Sequence, residues 1–151
     1  MIFRKFFKKD KQEEIDKMYL SVPESEMNEK LKRKIAELES LGEQLGKVLQ
    51  RKYASVFESQ GKQNLGIWVC RDIDGDENEI STTEQCFEKE YRSQIVIDFD
   101  GPKFEGDDFY AYYIELWYYF GGYIRGSGTL YDLSNNDLET EIEEGLKILL
   151  K

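Results

Sequence analysis

Between Met27 and Val56 the apolar residues Met27, Leu31, Ile35, Leu38, Leu41, Leu45, Val48, Leu49, Tyr53 and Val56 recur at steps of three and four. That spacing follows the 3.6-residue turn and predicts one long amphipathic helix over residues 23–58. Ser21 and Glu24 have the spacing of a capping box, and Pro23 is tolerated in a first turn. Gly42 and Gly46 stand one turn apart inside the pattern. They mark either a break or a place where a sheet approaches closely.

Further along, the period changes. Gly66–Asp72 (GIWVCRD) and Ser93–Phe99 (SQIVIDF) are rich in β-branched and aromatic residues and read as strands. Between them Ser81–Tyr91 reads as a short helix carrying Cys86 and Phe87. Phe109–Leu133, FYAYYIELWYYFGGYIRGSGTLYDL, would begin as a helix apolar on every side. Read as two strands around Gly121-Gly122 it makes a hairpin, since a glycine pair suits a two-residue turn. Such a turn pairs Phe120 with Tyr123, Tyr118 with Arg125, Trp117 with Gly126 and Glu115 with Gly128. One face then carries Tyr113, Trp117, Tyr119, Ile124 and Leu130, with aromatic rings over the opposed glycines, and is expected to face the core. Glu115 would fall on that face and need a partner there. The other face shows Tyr110, Tyr112, Tyr118, Tyr123, Arg125 and Tyr131. A one-residue slip in register inverts the assignment.

Leu138, Ile142, Leu146 and Leu149 form the stripe of a last helix, with Ser134 and Asp137 as its capping pair. The fold class expected is α+β: an antiparallel sheet of about four strands, with the long N-terminal helix and the C-terminal helix packed on one face. Residues 23–151 are expected to form a single α+β domain. Residues 1–22 form a basic, amphipathic arm, in which Phe3, Phe6 and Phe7 interleave with Arg4, Lys5, Lys8 and Lys9. Two readings fit the arm, a short segment docking its aromatics on the body or a weak membrane-surface anchor.

Composition narrows the chemistry. The 151 residues include no histidine, which removes histidine-dependent triads and the commonest zinc ligand. Cys70 and Cys86 have neither a metal nor a redox spacing, and two cysteines make no disulfide framework. No apolar run is long enough for a membrane span and no signal-peptide core is present, so the expected location is the cytoplasm. The net charge of −10 is uneven: the first nine residues carry +4, while residues 61–151 carry −12. A field of that sign repels nucleic acid and steers basic partners inward.

Three motifs suggest chemistry. Ile95–Gly101, IVIDFDG, resembles the opening motif of the haloacid dehalogenase-like phosphatases. By that resemblance Asp98 would be the nucleophile and Asp100 the general acid/base, with magnesium between them. The likeness covers seven residues and ends at Pro102, where the family has Thr or Val. The fold also requires a parallel core with a lysine and a late acidic pair. Gly106-Asp107-Asp108 mimics that pair but follows too soon for another strand and helix, so the chain is read as lying outside the family. Arg71–Ile80, RDIDGDENEI, starts like a calcium loop, but neither Asp72 nor Asp74 as first ligand places a glycine and a final acid correctly. Arg125–Gly128, RGSG, lacks the following helix that gives a phosphate cradle its force.

The function expected is therefore a small acidic protein-binding domain, not an enzyme, that neutralises or docks on a basic protein partner such as a toxin. Immunity proteins and antitoxins are the class of analogue. Tyr110, Tyr112, Tyr118, Tyr123 and Arg125 are the expected anchors, being interface hot-spot residue types. Asp98, Asp100, Asp107 and Asp108 are the expected charged rim. No cofactor, resident metal or nucleic acid is expected. The alternatives are a carboxylate- or divalent-metal-dependent enzyme centred on Asp98, Asp100 and Asp107, and a self-associating structural protein.

Overall fold

The computed structural model describes residues 18–77, 82–102, 111–120 and 127–151. In chain order they form β1 (Tyr19–Val22), a 3-10 turn (Glu24–Glu26), α1 (Glu29–Ser59), β2 (Gln63–Ile73) and β3 (Asp76–Glu77). A second 3-10 turn (Thr83–Gln85), β4 (Tyr91–Asp100), β5 (Tyr112–Phe120), β6 (Ser127–Tyr131) and α2 (Leu138–Leu149) follow. The strands make one antiparallel sheet in the order β1-β6-β5-β4-β2-β3. The architecture is the expected α+β, with two strands more than the four foreseen. One is β3, only two residues long. The other is β1, which takes into the sheet residues that the sequence placed in the arm.

α1 starts later than its apolar pattern suggests. Ser21 lies in β1 and Glu24 in the 3-10 turn, so the expected capping box does not form. Asn28 caps instead, its Oδ1 accepting the Leu31 N–H at 3.0 Å. At the far end Gly61, with φ of 77°, closes a Schellman turn, in which the Lys62 N–H reaches the Phe57 carbonyl at 2.9 Å. Gly42 and Gly46 do not break the helix but let the sheet approach it. A Cβ at Gly42 would stand 3.2 Å from both Ile95 and Val69, and one at Gly46 would stand 3.0 Å from the Ile67 carbonyl oxygen. At α2 the N-cap position falls to Asp137 rather than Ser134, its carboxylate accepting the Thr140 hydroxyl at 2.7 Å and no backbone N–H, and Gly145 lies against the Tyr112 ring and Ile97.

One buried residue of α1 is a carboxylate. Glu39 has no solvent exposure and accepts from the Tyr91 hydroxyl at 2.7 Å, the Thr83 hydroxyl at 2.6 Å and the Arg71 Nε at 3.0 Å. It therefore ties α1 to β2, to β4 and to the Thr83–Gln85 turn. That turn stands where a helix over Ser81–Tyr91 was expected, and Tyr91 already belongs to β4. Just after it the Cys86 carbonyl accepts the Trp117 indole N–H at 2.9 Å.

The aromatic hairpin forms with a different register. Phe120 pairs with Ser127, Tyr119 with Gly128, Tyr118 with Thr129 and Trp117 with Leu130. The expected pairs Phe120–Tyr123, Tyr118–Arg125, Trp117–Gly126 and Glu115–Gly128 are thus displaced by four residues. An even displacement keeps each side chain on its face, so Trp117 still covers a glycine, with Gly128 under its ring. The phase does change lower in β5. Trp117 pairs with Ser93 and Glu115 with Gln94, which leaves Leu116 as a bulge. Below it the two faces exchange: Tyr112 packs on the core and Tyr113 is 55% exposed, the reverse of the expectation. Glu115 correspondingly leaves the face predicted for it. Tyr131, expected on the outer face, is 1% exposed because β1 adds beside β6 and lays Tyr19 edge-on against it at 5.9 Å.

Two substitutions test this packing. Glu39→Ala leaves the Arg71 Nε and two hydroxyls without their acceptor, with Glu43 still beside the guanidinium, and is expected to cost about 3 kcal/mol, Glu39→Gln clearly less. Urea unfolding of both variants measures the difference, and a loss below about 1 kcal/mol for the alanine would contradict the role given to Glu39. A Cβ at Gly128 would come within 2.3 Å of the Trp117 ring. Gly128→Ala is accordingly expected to lower the urea midpoint, by about 1–3 kcal/mol of stability.

Candidate functional site

The side chains that alternate with the Ile67, Val69, Ile95 and Ile97 set define the opposite face of the sheet. Trp68, Val96 and Tyr113 form one row there, each the direct cross-strand partner of the next. Val96 is buried between its neighbours, while Trp68 remains 44% exposed with its ring folded over Gly66. The adjoining row, Cys70, Gln94 and Glu115, leads to a third that holds Asp72, Arg92, Tyr118 and Thr129. Phe120, 41% exposed, meets Tyr118 edge-to-face at 5.8 Å. Large apolar rings held by a rigid sheet, with both charge signs among them, are the ingredients of a protein-recognition surface.

The sequence-predicted residues divide into three groups. Tyr118 and Asp98 stand on this face, Asp98 opposite Gly66 and two residues from Val96. Asp100 lies at the exposed end of β4, where it accepts from the Asn64 amide at 2.9 Å. Tyr112 leaves the set, because the Leu116 bulge turns it onto Gly145. Tyr110, Tyr123, Arg125, Asp107 and Asp108 lie outside the described residues. Sequence reasoning passed over Trp68, Phe120 and Arg92. Trp68 carried a usable signal, since it alternates with the apolar Ile67 and Val69 in a strand and so had to face away from them.

Charge on this face is locally paired. Arg92 Nε lies 3.3 Å from Glu115 Oε1, and its guanidinium carbon stands 4.5 Å from the centre of the Tyr118 ring. The Thr129 hydroxyl donates to Glu115 Oε2 at 3.4 Å. Burial pushes the Glu115 carboxyl above the usual glutamate range, and Arg92 and Thr129 pull it only part of the way back. The Tyr118 hydroxyl donates to Glu90; burial first and then that bond push its pKa up to about 12.

The motifs that suggested chemistry lie in a strand and a tight turn where they are described; residues 78–80 of the calcium-like loop, and Arg125 and Gly126 of RGSG, lie outside the described residues. Asp74 (φ 53°) and Gly75 (φ 83°) are the two left-handed residues of the tight turn joining β2 to β3. Asp74 accepts the Glu90 N–H at 3.2 Å. The Asp98 carboxylate accepts the next backbone N–H, that of Phe99, at 2.8 Å. Among the described residues no three Cys, Asp or Glu side chains converge as a metal site, and no helix is long and apolar enough to cross a membrane. A groove of about 530 Å³ runs between β1, α1 and Asp132–Ser134, lined largely by Leu20, Leu38, Leu41, Leu130 and Leu133. Compared with known protein families, curated proteins and solved structures, the chain matches none of them.

The raised Glu115 carboxyl has a signed consequence. Just above the ordinary glutamate range the folded state binds more protons at this group than the unfolded state does. Stability from Glu115 therefore falls as pH rises through that interval and is recovered on acidification. Urea midpoints of the wild type and Glu115→Gln across a pH series are expected to show the wild type gaining on the variant as pH falls. A difference independent of pH would contradict the burial of this carboxyl.

Proposed function

We propose that this chain is a protein-binding domain that docks a basic protein on the face carrying Trp68, Tyr113, Tyr118 and Phe120, as an immunity protein or antitoxin does with its toxin. The observation that carries the reading is the row Trp68–Val96–Tyr113, where two large rings stand in solvent on a rigid antiparallel sheet. In this reading both helices cover the other face, and the two rings, beyond flanking Val96, remain 44% and 55% exposed among the described residues. Anchors of this type bury well and lose little side-chain entropy on binding.

Charge selects the partner. Residues 61–151 carry −12, and these residues build five of the six strands. A basic protein is drawn to such a surface, whereas nucleic acid is repelled by it. Asp98 and Asp100, further along β4 from Val96 on one side of the aromatic row, supply the rim. The reading requires no catalysis and no cofactor, and places the protein in the same compartment as its partner, which we take to be the cytoplasm.

The test is affinity capture on the tagged chain from its source lysate at low and high salt, followed by rates for the purified pair. One stoichiometric basic protein, weakened by salt, is the expected result. Trp68→Ala is expected to speed dissociation by about tenfold or more, as removal of a buried anchor does, with association little changed. Asp98→Asn should act mainly on association, and only at low salt. Capture of no basic protein at either salt, or association of the purified chain with itself alone, would overturn the proposal.

A further inference from the structure

Arg92 occupies a position on this face that a partner's side chain could equally fill. Its guanidinium lies over the Tyr118 ring at 4.5 Å and against the Glu115 carboxylate at 3.3 Å. Tyr118 is held from two directions, by its hydroxyl bond to Glu90 and by the edge contact with Phe120. Glu115 is held by Thr129. An aromatic plate fixed in place beside a partly buried carboxylate is the chemistry that recognises a planar guanidinium, and it suits arginine better than lysine. On the other side of Arg92, Asp72 is its direct cross-strand partner in β2 and adds to the negative field at Glu115.

We propose that Tyr118 and Glu115 form an arginine-binding subsite that the free chain fills with its own Arg92, and that the basic partner inserts an arginine there as Arg92 swings out. The proposal rests on the partner reading above and adds the residue that the partner must supply. Internal occupancy solves a physical problem of the free protein, because a partly buried carboxylate without a cation is costly. It also makes binding an exchange of one cation for another. Glu115 stays neutralised throughout, and the Arg92 contact must be surrendered before the new one forms. The resident arginine therefore weakens casual binding of cations and leaves the subsite to a guanidinium delivered with the rest of an interface.

Binding of hexa-arginine and hexa-lysine peptides to the full chain tests the subsite without knowledge of the partner, with Trp68 fluorescence and calorimetry as readouts at low salt. Arg92→Gln is expected to bind hexa-arginine about tenfold more tightly than the wild type, with hexa-lysine improving by no more than about threefold. The hexa-lysine gain measures the effect of one lost positive charge alone. Adding Glu115→Gln to Arg92→Gln should abolish the arginine-specific part. Arg92→Lys leaves net charge unchanged and covers the case in which the glutamine variant is poorly folded; it is expected to show the same preference at about threefold. Equal gains for both peptides, or no gain in an Arg92→Lys variant that melts like the wild type, would overturn the subsite. That outcome, together with capture of a basic protein from lysate, would leave the partner reading standing. Failure of the capture overturns the partner reading separately.

Discussion

A buried carboxylate organises the middle of this domain. Glu39 sits in the apolar stripe of α1 with no exposure, and an uncompensated charge there would be strongly destabilising. Its acceptor sites are met by Tyr91 of β4, Thr83 of the preceding turn and Arg71 of β2, so these elements can occupy only positions that satisfy it. The dependence continues outward. The turn held by Thr83 places the Cys86 carbonyl under the Trp117 indole, and the Trp117 ring lies over Gly128 of β6. β6 in turn carries β1 at the edge of the sheet. Apolar burial supplies most of the stabilisation, but it is not directional. The Glu39 contacts make one arrangement of α1 on the sheet preferable to its neighbours.

The Leu116 bulge performs a comparable selection within one strand. β5 presents aromatic or apolar side chains at nearly every position from Tyr112 to Phe120, so alternation of hydrophobic and polar residues cannot say which way each one points. The extra residue lets Ile114, Leu116 and Trp117 all be buried, although strict alternation would expose one of them. Its consequence for the surface is that Tyr113, not Tyr112, joins Trp68 in solvent. A packing requirement of the core thereby settles the composition of the exposed face.

Among the described residues that face combines large rings with acidic flanks and Arg92. In the proposed role the rings would confer affinity through burial, the charges would control approach, and Arg92 would give the surface a preference among cations. These contributions lie on adjacent rows of one rigid sheet, so a partner can engage them without distortion of the backbone.

The sequence by itself determined the long helix, the two central strands, the hairpin, the closing helix and the acidic second half. Each follows from a period, a turn signal or a charge count that acts over a few residues. It also placed Tyr118 and Asp98 on a surface face. Tertiary structure alone decided the rest. Asn28 rather than Ser21 starts α1 because β6 claims Tyr19–Val22 as a strand. Tyr112 and Tyr131 were drawn inward, the first by a bulge formed across β4 and the second by β1 arriving from the far end of the chain. Trp68 could have been foreseen from its alternation with Ile67 and Val69. The meeting of Arg92 with Tyr118 and Glu115 could not, since a register between distant strands is set by the packing of the whole sheet and is not encoded in any one of them.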